Sequence, residues 1–516
     1  MPLVLLAAAG LCGQVLTSQY DNTRTGANNR EAILTPANVN QHQFGKIFSY
    51  KVDGDVYAQP LYLPHVPIPG KGTHNVVYLA TENDSVYAFD ADGLSSEPLW
   101  HTSFLRSGVG TLTPSDVGCP FLSPQIGITP TPAIDLATGT LYVLARTKER
   151  QGLFSDARFV QRLHALAVTN GVEKLGGPIE IQASVRGHLP SGAPGEVAFD
   201  PLGQNPQAGL LIANGRVYLT WGSSCDVRPY RGWVMAYDVK TLKQIAVFNA
   251  SPDSGESGIW QSHMGPAVDD QGNVCVITGN GTFNAPVGRD YGDTVLKLRI
   301  LKGVFEVADY FTPYNEDHLN STDLDLGSGG PVLLPAQPGA PAHLLLAGGK
   351  QGALYVLDRD QLGKQHPGRD AQAINVLRFR GALFSSPAYW NRHVYVLACD
   401  DFLYDLPLQA GTLSFERYTK GSQHFGWGAT PAISANGTRD GIVWLIESKP
   451  AAGRDQPAVL HAYDAINIAH ELYNTGQQSD RDRAGKTLRF TIPTVANGRV
   501  YVPARGEVNV YGLLAH

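Results

Sequence analysis

GSGGPVLLPAQPGAPAHLLLAGGKQGALYVLDRD, residues 327–360, holds three strand-like runs and no helix signal. The runs fall at 331–334, 343–347 and 353–357, with glycine and proline turns between them. The first is small, apolar and preceded by glycines, as suits a strand near a crowded axis. The second is continuously apolar. The third alternates until Asp358, whose carboxylate can cap the following turn. A sheet built this way cannot bury both faces alone, so it needs neighbours of its own kind.

The same grammar recurs eight times. First strands begin near Gln59-Pro60, Thr131-Pro132, Ala208-Gly209, Gly265-Pro266, Gly330-Pro331, Ser386-Pro387, Thr430-Pro431 and Ile492-Pro493. Second strands read VVYLA (76–80), LYVLA (141–145), VYLTW (217–221), VCVIT (274–278), LLLAG (344–348), VYVLA (394–398), VWLIE (443–447) and VYVPA (500–504). Third strands include VYAFD (86–90), LHALA (163–167), VMAYD (234–238), LYVLD (354–358), LHAYD (460–464) and VNVYG (508–512). Eight such units predict an all-β, eight-bladed β-propeller of four-stranded antiparallel blades. The last unit ends just after Tyr511 with no room for an outer strand, while KIFSYKV (46–52) precedes the first unit without a partner. Pairing the two closes the ring and removes an exposed edge. One propeller domain over 46–516 follows, with an N-terminal extension at 14–45 and a leader-like segment at 1–13.

The net charge of −6 and the scatter of the 40 Lys and Arg exclude a nucleic-acid partner, because no basic stripe faces phosphates. PLVLLAAAGL (2–11) is too short to span a bilayer and stands where a signal peptide's hydrophobic region belongs; nothing else reads as a membrane span. The expectation is export, to the periplasm or the cell exterior. Of five cysteines, Cys119 and Cys225 lie in long loops and are positioned to pair across neighbouring blades, whereas Cys275 is in a strand and reads as a small buried hydrophobe. No Cys-x-x-Cys-His occurs, which excludes covalent haem and zinc sites built on such pairs. Insertions at 105–127, 179–207, 279–294 and 312–329 are far longer than hairpins need, so function is expected there.

Residues 350–359, KQGALYVLDR, resemble a motif of the quinoprotein dehydrogenases, which depend on pyrroloquinoline quinone (PQQ) and hold it on the axis of an eight-bladed propeller. The resemblance implies that Lys350 donates to the quinone oxygens and stabilises its reduced form. ITGNGTFN (277–284) is similar to the family's Thr-Gly-Asn-Gly turn, which implies that Asn280 is a calcium ligand. STDLDLGSGG (321–330) matches the segment that carries the catalytic base, at Asp323, and in some members an extra acid for a lanthanide, at Asp325. In SSCDVRPYRGWVMAYD (223–238), Arg231-Gly232 stands in register and implies a cofactor contact at Arg231. The family's glutamate ligand is replaced there by Val227, leaving Asp226 one place off. Trp260 is the counterpart of the stacking tryptophan, with its spacing to the TGNG turn differing by two residues; the vicinal cysteine pair that covers the cofactor is absent.

Taken as residues alone, Lys350 serves equally as a solvated turn lysine, and Asn280-Gly281 as a tight hairpin turn. His263 and Met264, at the start of a first strand, are positioned to line the channel. Joined by His318 or His424 they would suggest a transition-metal site, although a histidine beside a Gly-Pro turn is more often structural. Three readings of function result. One is a dehydrogenase that oxidises an alcohol or sugar with PQQ and calcium and passes electrons to a separate acceptor. Another is a non-catalytic propeller that serves as a protein- or glycan-binding or assembly platform; a propeller enzyme acting on polysaccharide in its central groove is a third.

Overall fold

The computed structural model describes residues 13–150, 152, 156–189, 191–447 and 456–515. The apolar run at 2–11 and Cys12 lie outside the described residues. The strands form eight antiparallel blades around one axis. Blade one, for example, comprises Leu61–Ile68, Gly72–Ala80, Ser85–Asp90 and Trp100–Ser103. Blade five, the founding repeat, comprises Val332–Leu333, Leu344–Gly348, Ala353–Asp358 and Asn375–Arg378. In blade eight the outer strand is Phe44–Lys51, paired antiparallel with Glu507–Leu513 from Phe44 opposite Leu513 to Lys51 opposite Glu507. The N-terminal strand thus closes the ring, as the unpaired run at 46–52 predicts.

The recurrent tyrosine of the second strand has a physical reason. Tyr78, Tyr142, Tyr395 and Tyr501 donate to the carbonyls of Val168, Val239, Ala465 and Ala91. Each acceptor follows the third strand of the next blade, so the phenol pins neighbouring blades together while its ring fills the space between them. The recurrent aspartate at the end of the third strand caps the next turn: Asp90, Asp238, Asp358 and Asp464 accept the N–H groups of Asp92, Lys240, Asp360 and Ile466.

The N-terminal extension is not an appendage. Residues 15–28 wind once around the channel and touch every blade in turn. Val15 pairs with Tyr62 of blade one, Leu16 accepts from Ile134 of blade two, and the Thr17 hydroxyl donates to Leu210 ahead of blade three. Asn22, Thr23, Thr25 and Gly26 accept from Val268, Leu333, Tyr389 and Ile433 of blades four to seven, and Asn28 Nδ2 donates to Val495 of blade eight. This plug satisfies the axial edges of the first strands, which would otherwise be open. It also explains the glycines that open those strands: a Cβ on Gly265 would lie 2.4 Å from the Arg24 guanidinium, and one on Gly209 2.9 Å from Ser18.

Chain direction places all the long insertions at one end of the ring. A loop from an outer strand to the next blade's first strand emerges at the same end as a loop from a second strand to a third. The insertions at 105–127, 179–207, 279–294 and 312–329 are all of these two kinds. Cys119 and Cys225 form a disulfide with Cα atoms 5.6 Å apart, tying the loop at 105–127 to blade three, and Cys275 is buried and free.

Candidate functional site

Three loops on that face meet between blades four and five. Asn280 sits in the turn after Val274–Ile277, Asp323 and Asp325 in the loop after Val304–Phe311, and Lys350 in the turn after Leu344–Gly348. Lys350 Nζ contacts Asp323 Oδ1 at 2.7 Å and also pairs with Asp325 Oδ2. Asn280 Nδ2 donates to Asp323 Oδ1 at 2.8 Å, and the Asn280 N–H donates to Asp325 Oδ1 at 2.6 Å. The Lys350 N–H closes the ring of bonds on the Asp325 carbonyl at 2.9 Å. Asn280 Oδ1 is buried and has no hydrogen-bond partner.

The two acids differ sharply in environment. The Asp323 side chain is 67% exposed, that of Asp325 only 5%. Burial raises the Asp325 carboxyl above its ordinary value despite the opposing pull of Lys350. Burial alone would lower Lys350, but Asp325 and Asp323 outweigh it and hold the ammonium above the usual lysine value. Beneath Asp325 lies Asp293, raised well above the carboxylate range first by burial and then by Asp325 itself; it accepts the Leu326 N–H at 2.8 Å.

Trp260 forms one wall. Its indole N–H donates to the Ser223 carbonyl at 3.0 Å, and its ring meets Tyr230 edge to face at 5.8 Å. Three glycines make its seat, since a Cβ on Gly222, Gly258 or Gly279 would lie within 2.7 Å of the ring. Gly279 is doubly constrained, because the same Cβ would lie 2.2 Å from Asp325 Oδ1. The first glycine of the TGNG turn therefore lets the indole and the buried carboxylate approach one another.

The remaining expected residues stand apart from this cluster. Asp226 is exposed on the disulfide loop, bonded to the Ser223 hydroxyl, and acts on Asp325 through charge alone. Arg231 points away: its guanidinium donates to the carbonyls of Ser251 and His188 at 3.2 and 2.8 Å and holds two loops together.

An aromatic wall lines the axis on the same face. Tyr57 stacks on His263 at 5.5 Å, His263 faces Phe490 at 5.9 Å, and Phe384 bridges Phe490 and Trp427 at 6.1 and 5.7 Å. The Arg489 guanidinium lies 4.9 Å over Trp427 and 5.6 Å over Phe121 of the disulfide-tied loop. Apart from His263, sequence reasoning missed these residues, because each comes from a different inter-blade loop and no spacing links them. His263 is buried with Nδ1 unpartnered, and burial lowers its pKa to about 3. Gln261, Ser262 and His263 have φ of +50°, +43° and +72°, a run of strained backbone at the axis. Among the described residues no three His, Cys, Asp or Glu gather around a metal position.

No protein-family model and no curated protein matches the chain. Solved structures do. A quinohemoprotein alcohol dehydrogenase of Pseudomonas putida HK5 is similar at 13% identity, TM-score 0.63, over 98% of this chain and 81% of that one. A europium-containing methanol dehydrogenase is similar at 13% identity, TM-score 0.60, over 97% of this chain and 98% of that one. The chain has the propeller fold of the quinoprotein dehydrogenases. Within this quinoprotein-type propeller, the Lys350 cluster and the aromatic wall share the loop-rich face, and the N-terminal plug fills the channel along the first strands.

Proposed function

We propose that this chain is an exported quinoprotein-type oxidoreductase that oxidises a hydroxyl group of a small alcohol or sugar. The observation that carries the reading is the convergence of Asn280, Asp323, Asp325 and Lys350, from two neighbouring blades, beside the Trp260 ring. Half-burying an ammonium against a buried carboxylate costs desolvation free energy, and such perturbed pairs concentrate at functional sites. PQQ, when bound, supplies the two-electron acceptor. A planar anionic group is suited by the Trp260 ring and the Lys350 ammonium, while the unpartnered Asn280 Oδ1 is an acceptor for an N–H or O–H.

The protein's own groups divide the work. Asp323 is the base: Lys350 and Asn280 both bind its Oδ1, so Oδ2 is the oxygen available to a substrate proton. Lys350 stabilises negative charge that develops on the acceptor. For calcium or a lanthanide, the oxygens at hand are Asn280 Oδ1, Asp323 and Asp325, and the Lys350 ammonium already contacts both carboxylates. Asp226 is engaged with Ser223, and Val227 stands where a glutamate would serve. This donor set does not fit a hard divalent or trivalent cation while Lys350 is in place, and no step is assigned to a metal. The Cys119–Cys225 disulfide supports an oxidising compartment, and a separate protein would receive the electrons.

The test is calorimetric titration of the purified protein with PQQ, with and without calcium or a lanthanide. Binding is expected without added metal and should weaken at least about tenfold in Lys350→Ala. Asp323→Ala should bind PQQ yet fail to reduce it with any alcohol or sugar that the parent oxidises. A parent protein that binds no PQQ under any of these conditions would exclude the dehydrogenase. The second reading, a non-catalytic platform for proteins or glycans, would then stand on the aromatic wall of Tyr57, Phe384, Trp427 and Phe490.

A further inference from the structure

A separate cavity of about 190 Å³ lies between blades one and two, three blades away from Lys350. The end of blade one's outer strand supplies Thr102 and Ser103, with Phe104 and Arg106 just beyond. Blade two supplies Ala145, Arg162, His164 and Leu166, with Glu173 and Pro178 following its third strand. At roughly 30 Å³ for each water in the liquid, the space holds about six non-hydrogen atoms.

The polar groups around it are unequally engaged. Glu173 accepts the Ala165 N–H at 2.7 Å on Oε1 and pairs with His164 Nδ1 at 2.9 Å on Oε2. Glu149, behind the cavity, is held on both oxygens by Arg162. The carboxylates near the cavity are thus already satisfied by protein donors. Arg106 is exposed, and its charge is felt by both Glu149 and His164. His164 is buried and stacks on Phe104 at 3.6 Å. Burial keeps it below the ordinary histidine pKa, and Glu173 offsets this only in part. A neutral His164 that donates from Nδ1 to Glu173 carries its lone pair on Nε2, which is an acceptor.

We infer that this cavity binds a small hydroxycarboxylate: Arg106 takes the carboxylate, His164 Nε2 accepts the hydroxyl proton, and Phe104, Ala145, Leu166 and Pro178 cover the carbon chain. The site is independent of the quinone reading, because it shares no residue with the Lys350 cluster.

Lactate is the probe, with propionate, which lacks the hydroxyl, and 1,2-propanediol, which lacks the carboxylate, as controls. Titration followed by NMR on the intact chain should show saturable lactate binding, weaker propionate binding and none for the diol. Arg106→Gln, at an exposed position, should weaken lactate about tenfold without altering the fold. His164→Phe should keep the stack on Phe104 and abolish the preference of lactate over propionate. Absence of saturable lactate binding to the parent, or binding unchanged in Arg106→Gln, overturns the assignment. So does a preference for lactate that survives in a folded His164→Phe protein.

Discussion

Glu82 lies in the turn between the second and third strands of blade one, 1% exposed, with Oε2 accepting the Gly127 N–H at 2.7 Å. Burial pushes its carboxyl up to about 7, against the lowering pulls of Gly127, Thr129 and Arg146. An unfolded glutamate titrates near about 4.3, so between the two values the folded chain holds a proton that the unfolded chain has released. The corresponding stability is complete below the unfolded value and falls as pH rises to about 7, by on the order of 3 kcal/mol. Glu82→Gln, which stays uncharged, should remove that slope. Urea unfolding at pH 5 and pH 8 should show a smaller loss at the higher pH than the parent suffers, with neighbouring Asp84, itself raised by burial, keeping its own share. An unchanged difference would mean that Glu82 is ionised in the folded protein.

The inter-blade tyrosines operate at the scale of the element. Each blade presents a two-sided sheet whose neighbours must hold it at a fixed distance, and the phenol-to-carbonyl bond sets that distance. Tyr395 donates to Ala465 at 2.7 Å from a fully buried position. Tyr395→Phe keeps the ring and removes the bond, so it should cost about 1 kcal/mol by denaturant unfolding. Tyr142→Phe, between blades two and three, should cost a similar amount, and the double variant should show the sum, because the two bonds share no partner. A neutral Tyr395→Phe would mean that ring packing alone sets the spacing.

The whole molecule is a ring closed twice. The strand Phe44–Lys51 joins the ends of the chain in blade eight, and residues 15–28 tie all eight first strands together on the axis. Deleting residues 1–30 leaves the closing strand in place but strips hydrogen-bond partners from every blade at once. Calorimetry should show a lower Tm than any single side-chain variant gives, and size-exclusion chromatography should show association through the uncovered edges. A truncated chain with an unchanged Tm and a monomeric elution would mean that the blades carry their own stability.

The sequence alone determined what repeats. Strand order, blade number and closure follow from a local pattern of Gly-Pro starts, tyrosines and turn-capping aspartates, written eight times, because each blade solves the same packing problem. Resemblance of local motifs also pointed to Asn280, Asp323, Asp325 and Lys350; Asn280 and Lys350 occupy the equivalent second-to-third-strand turns of neighbouring blades, and the two aspartates the loop that joins those blades. Tertiary structure alone decided that Arg231 braces loops while Trp260 is seated on three glycines against Asp325. The N-terminal plug, the axial wall of Tyr57, Phe384, Trp427 and Phe490, and the cavity at Arg106 and His164 were likewise invisible in the chain. The physical reason is distance along the chain: these residues meet only because the closed ring brings loops from different blades together, and no local periodicity encodes such a meeting.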